Sequence, residues 1–165
     1  MKGHFGDLTV TGGKTHNFLA MNIQINDEKN IEIEMKEQLE EAVASFEIAE
    51  GESVTELVTS PASRHLREMN DDCKKLTTVK SEVFHSIVEK ILYIMKRARP
   101  DLETAVSYLC TRVSKSDLDN WKKLLRVIVF IKVTIDDKRI IGAKSLSSIF
   151  MWVDTEYAMN PDMKS

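Results

Sequence analysis

Residues 84–113 read FHSIVEKILYIMKRARPDLETAVSYLCTRV, and the way this stretch divides decides the fold. Phe84, Ile87, Val88, Ile91, Leu92 and Met95 recur at steps of three and four, which places them on one stripe of an α-helix. Pro100 ends that helix, because its ring forces Arg99 out of the helical region. It also opens the next one, since a proline at the first helical position gives up a donor that has no partner there anyway. Asp101 suits the positively polarised first turn. Leu102, Ala105, Val106, Leu109 and Val113 then form a second apolar stripe, so the stretch predicts two helices with a sharp corner between them.

A third helix is predicted downstream. Ser116 is a candidate cap, with Asp117 and Asp119 in the first turn. Leu118, Trp121, Leu124, Leu125, Ile128 and Ile131 supply its buried face.

Upstream the period changes to two. Leu19, Met21, Ile23 and Ile25 alternate with Ala20, Asn22 and Gln24, and Ile31, Ile33 and Met35 alternate with Glu32 and Glu34 across the turn-rich NDEKN (26–30). This predicts an antiparallel hairpin. An earlier strand is predicted over Asp7–Thr11, before Gly12-Gly13. Met35, Leu39, Ala42, Val43 and Phe46 return to helical spacing as far as Glu47. Residues 48–79 hold Gly51 and Pro61 and show no clear period, so they read as a connector, with a short helical piece around Ala62–Met69. Beyond an Asp136-Asp137 turn, Arg139–Ala143 reads as a short strand and Ile149–Asp154 as a more apolar one. The fold class expected is α+β: an N-terminal antiparallel β-hairpin and helix, a helical bundle of about three helices, and a C-terminal incomplete β segment.

The chain has 165 residues, 42% apolar and 30% charged, which fits a globular protein with enough material for a core. No apolar run approaches the length that spans a bilayer, and the N-terminus MKGHFGDLTV lacks a secretory apolar core. The expectation is an intracellular setting, cytoplasmic or nuclear, with no membrane partner. The formal net charge of −3 is unevenly divided: residues 26–75 carry 6 basic and 14 acidic side chains, residues 80–132 carry 11 basic and 6 acidic. The basic half is the part suited to a polyanion.

Several motifs carry no chemistry. Gly12-Gly13-Lys14-Thr15 resembles the end of a phosphate-binding loop, but Leu8 stands where its first glycine belongs and no helix follows. His4, His16, His65 and His85 lack ligand spacing, and Cys73 and Cys110 lie far apart without a C-x-x-C pair. Glu34, Glu37 and Glu41 read as a solvated helix face. Lys96, Arg97 and Arg99 end the first long helix, Arg112 and Lys115 close the second, and Lys122, Lys123 and Arg126 ride the third opposite its apolar stripe. These form the candidate polyanion surface. Asp154, at the end of an apolar strand, is a carboxylate that needs a partner, an exposed position or a metal.

Taken together, FLAMNI (18–23), residues 86–134 with Arg99-Pro100-Asp101, Trp121-Lys122 and Leu125-Arg126-Val127, and the closing WVDTEYA (152–158) resemble copia-type retrotransposon polyproteins. The likeness covers the end of the reverse transcriptase and the start of ribonuclease H. It implies that residues 1–47 end the palm, 48–79 connect, 80–135 form a thumb or connection-like region, and 136–165 begin a truncated ribonuclease H-like domain. Phe18, Leu19 and Met21 would lie near the primer end. Lys96, Arg97, Arg99, Arg112, Lys122, Lys123 and Arg126 would track an RNA/DNA primer-template. Asp154 would be the first metal-binding, catalytic carboxylate of ribonuclease H, holding Mg2+ only in the complete enzyme. The rest of the polyprotein would be the other partner.

The Tyr-x-Asp-Asp polymerase motif is absent from the chain, and the further ribonuclease H acids would lie beyond Ser165, so no polymerase activity is expected from the chain alone. The family usually has Gly at the positions of Ala20 and Val133. The alternative reading is a non-catalytic nucleic-acid-binding or helical interaction protein derived from a degenerate transposon copy.

Overall fold

The computed structural model of the chain describes residues 12–70 and 72–142. The expected strands Asp7–Thr11 and Ile149–Asp154, and with them Asp154, lie outside the described residues. Three strands open the structure: β1 (Thr15–Phe18), β2 (Met21–Ile25) and β3 (Ile31–Glu34). Helices α1 (Lys36–Glu50), α2 (Thr78–Arg97), α3 (Glu103–Cys110) and α4 (Leu118–Val133) follow, and β4 (Arg139–Ile141) closes the described chain. The sheet is antiparallel throughout, in the order β1-β2-β3-β4, with Ile23 opposite Ile33 and Ile33 opposite Arg139. The class is α+β, with the hairpin at the N-terminal end, the helices between, and a short strand after them.

The expected strand from Leu19 is divided. Phe18 pairs with Met21, and the two residues between them, Leu19 and Ala20, have φ of 49° and 64°. Positive φ at both central positions is the geometry that matches the twist of a two-residue hairpin, and it favours Gly or Asn. Phe18 and Met21 share a face across this turn, so strict alternation breaks there, and Leu19 falls in period with Met21, Ile23 and Ile25 in the sequence alone. Val133, the other position where the family that the sequence resembles usually carries Gly, is an ordinary last residue of α4 and not among the positive-φ residues.

Helix α1 runs three residues past Glu47 and ends at Gly51, whose φ of 83° is left-handed and whose N–H returns to the Glu47 carbonyl. The Ala62–Met69 segment forms turns instead of a helix, although Val54 and Leu66 from the connector are buried in the core. Thr77 caps α2, accepting from the Lys80 N–H. Pro100 opens a 3-10 turn, Pro100–Leu102, that leads into α3. The cap of α4 is Asp117, not Ser116: its carboxylate accepts from the Asn120 N–H at 2.8 Å. Ser116 is buried and shares a hydrogen bond with the Ser81 hydroxyl.

One core joins these pieces. Met35, Leu39 and Phe46 of the hairpin–helix unit meet Phe84, Ile87 and Ile91 of α2, Leu102 and Leu109 around α3, and Leu124, Ile128 and Ile131 of α4. Each of these large side chains contributes about 1.5–3 kcal/mol by leaving water. Phe46 stacks on Trp121 with ring centres 4.8 Å apart, and the Trp121 indole N–H donates to Glu50. Leu118, expected in the buried stripe, is exposed at the first turn of α4. No described helix is long and apolar enough to cross a membrane.

Candidate nucleic-acid interface

Helix α4 sets the position of the basic side chains. Its apolar residues face the core, so Lys122, Lys123 and Arg126 fall on the outer side, with Lys122 and Arg126 one turn apart. The connector lies alongside, and Lys123 fastens it. The Lys123 ammonium donates to the Glu68 carbonyl at 2.6 Å and to the Tyr108 hydroxyl at 3.2 Å, and it pairs with Asp119 at 2.8 Å. Its side chain is only 10% exposed.

Between connector and helix lies an open cleft of about 420 Å³, walled by His65, Glu68 and Met69 on one side and Lys122, Lys123 and Arg126 on the other. Its two acids are already engaged, Glu68 with His65 at 2.6 Å and Asp119 with Lys123. Lys122 is exposed and pairs with no described residue; the buried Nε of Arg126 has no hydrogen-bond partner among the described residues. Lys122 and Arg126 therefore line the cleft without an ion pair to any described residue. A guanidinium held in that way is a donor set for phosphate oxygens.

The other expected binding residues divide into two groups. Lys96 and Arg97 end α2 and do not line the cleft. Lys96 pairs with Glu103 at 3.3 Å. Arg97 lies over the Tyr93 ring at 3.6 Å and donates to the Tyr93 carbonyl. The Tyr93 hydroxyl donates to the Leu19 carbonyl at 2.9 Å, and Arg139 donates to the Arg97 carbonyl, so hairpin tip, α2 and β4 meet there. Phe18 and Leu19 are exposed at that tip, 61% and 55%, while Met21 packs against the core.

Arg99 and Arg112 are buried. Arg99, at 2% exposure, donates from Nε and Nη2 to Asp101 and from Nη1 and Nη2 to the carbonyl and hydroxyl of Thr134. Its guanidinium is a latch between the α2–α3 corner and the end of α4, which corrects the expectation that it faces a nucleic-acid backbone. The reason is geometric: Pro100 turns Arg99 inward towards the carbonyl end of α4. Arg112 lies over the Tyr108 ring at 4.9 Å and donates to the Met69 sulfur at 3.1 Å. A role for it in tracking an external backbone does not fit that burial.

Among the described residues no group of three or more His, Cys, Asp or Glu side chains stands close enough to hold a metal ion. Asp136 pairs with Lys36 and raises the lysine's pKa above its ordinary value through that hydrogen bond. Asn120 was missed at the sequence level. It reads there as a polar residue of a first helical turn, yet it is 3% exposed.

No protein-family model matches the chain, and no solved structure matches it. The functional reading therefore rests on the residues themselves and on the resemblance.

Proposed function

We propose that the chain is a nucleic-acid-binding part of a copia-type retrotransposon polyprotein, non-catalytic by itself, that engages the backbone of an RNA/DNA primer-template. The observation that carries this is the pair Lys122 and Arg126, one helical turn apart, lining an open cleft with no ion pair to a described residue. Phosphates of a backbone passing α4 would displace counterions from both. Lys123 acts indirectly, by holding the cleft's other wall. Lys96 and Arg97, beside the exposed Phe18-Leu19 tip, form a second contact region. The resemblance adds Mg2+ at Asp154 in a complete enzyme; the described residues supply no part of that site, and none of their roles depends on it.

Binding of the chain to a labelled RNA/DNA hybrid, followed by fluorescence anisotropy across a salt series, tests the proposal. The expected result is salt-dependent affinity whose log–log slope becomes shallower by about 2 in Lys122→Gln/Arg126→Gln, near 0.9 per lost phosphate contact. Unchanged affinity and slope in that double variant would overturn it. Equal binding of hybrid, duplex DNA and single-stranded RNA would reduce the reading to a general polyanion binder.

A further inference from the structure

The connector wall of the cleft carries a titratable group that its neighbours hold in one protonation state. His65 lines the cleft across from Lys122, Lys123 and Arg126. Both of its ring nitrogens are engaged. Nδ1 lies 2.6 Å from a Glu68 carboxylate oxygen, and the Nε of Arg64 donates to Nε2 at 2.8 Å.

The second contact fixes the proton. A guanidinium has donors and no acceptor, so the ring nitrogen facing it must offer a lone pair. Nε2 is therefore unprotonated, the ring proton sits on Nδ1, and that N–H donates to Glu68. Only the neutral imidazole fits this arrangement. Protonation would set two N–H groups head to head at 2.8 Å, and the exposed Arg64 side chain would swing away into solvent. The Glu68 contact survives, because Nδ1–H donates in both forms.

Acidification thus acts on the cleft twice. It adds a positive ring to the wall, and it frees a guanidinium that the neutral ring holds aside. The charged groups around the ring set the direction. The connector brings Arg64 and Glu68, and the Glu68 carbonyl also accepts from Lys123. Helix α4 brings Lys122, Lys123, Arg126 and Asp119, with Asp119 paired to Lys123. Helix α3 brings the Tyr108 hydroxyl, also on Lys123. Cations already outnumber carboxylates there, and a protonated ring widens the excess, which favours a phosphate backbone.

We propose that His65 is a pH-sensitive switch on the cleft. Neutral, it keeps Arg64 from the polyanion; protonated, it joins Arg64 and the α4 cations in holding phosphates. The inference rests on the reading of the cleft as a nucleic-acid site and adds its regulation. An imidazole ordinarily changes charge between about pH 8 and pH 5. Within that range proton and polyanion each strengthen the binding of the other, as linkage requires.

Fluorescence anisotropy with the labelled RNA/DNA hybrid, at pH 8 and pH 5.5 and across a salt series at each, reads the switch. The window stays above the ordinary carboxylate range. Expected is about five- to tenfold higher affinity at pH 5.5 in about 0.1 M salt, with a log–log slope steeper by about 1–2, near 0.9 for each added cation. His65→Gln should show the same affinity at both pH values. Arg64→Gln should keep about half of the slope change. His85→Gln, at a residue that pairs with Glu89 and does not line the cleft, should keep all of it. Nitrogen–proton NMR of the His65 ring at pH 8, without nucleic acid, should find the proton on Nδ1. A proton on Nε2 would overturn the proposal, and so would a pH-dependent rise that survives His65→Gln. Hybrid binding by the parent that is equal at the two pH values would refute the switch and leave the nucleic-acid reading standing. No hybrid binding at either pH would refute both.

Discussion

The Arg99 guanidinium donates to both oxygens of Thr134, at 2.9 Å to the carbonyl and 2.7 Å to the hydroxyl, and so joins the corner before α3 to the end of α4. Asp101 holds the same guanidinium from its other edge. Arg99→Ala should lower stability by about 2–4 kcal/mol, because it strips partners from a buried carbonyl and a half-buried carboxylate. Arg99→Lys should fall between, keeping the charge without the planar fork. Urea unfolding reads both, and an Arg99→Ala chain as stable as the parent would refute the latch.

The turn at Leu19-Ala20 gives an opposite expectation. Alanine at a φ of 64° is held in a conformation that costs an L-residue roughly 1–2 kcal/mol. Ala20→Gly should therefore raise the melting temperature, by about 1 kcal/mol of added stability after the glycine's greater freedom in the unfolded chain is subtracted. The same change at Val133, in helical backbone, should destabilise. If Ala20→Gly destabilised as well, the turn assignment would be wrong.

Lys122 and Lys123 are neighbours with different duties. Lys123→Ala removes the donor to Glu68 and Tyr108 and the partner of Asp119, and should cost about 1–3 kcal/mol in thermal or urea unfolding. Lys122→Ala should stay within about 0.5 kcal/mol of the parent, as an exposed side chain without a partner should. Equal losses at the two positions would contradict the division between fastening and binding.

Glu47 links stability to pH. Lys132 and the Val54 N–H both hydrogen-bond its carboxylate and hold its pKa below the ordinary value. A carboxylate depressed in the folded state adds stability that is fully present above its unfolded pKa of about 4.3 and is lost as pH falls through the lower folded value. Glu47→Gln should be less stable than the parent at neutral pH, and the gap should close as pH falls through that range. A gap independent of pH would mean that shape, not charge, sets the difference.

Most of the framework was legible because it depends on local physics. The stripe Phe84–Met95, Pro100 at the start of a turn and the period-two run after Met21 each specify their own conformation. What escaped depends on distant partners. Arg99 reads as one more basic residue at a helix end, and only the approach of Thr134, 35 residues away, takes it inside. Val54 and Leu66 enter the core from a connector without periodicity, so no pattern marks them. At the interface, three of seven expected cations line one cleft; Lys96 and Arg97 sit apart because they share the C-terminal turn of α2, away from it. Asn120 carries no sequence signal at all, since only the packing around it buries it.

The pairing of β4 with β3 has a consequence for synthesis. Residues 139–141 join a strand made more than a hundred residues earlier, as the Lys138–Glu32 contact also spans. While the helices are still being translated, the outer edge of β3, with Ile31 and Ile33, has hydrogen-bonding groups and apolar side chains to offer any passing strand. Late, long-range closure of this kind is slow compared with helix formation. A nascent chain halted before Arg139 would thus leave the β3 edge open to self-association, and one released after Ile141 would be the first able to cover that edge.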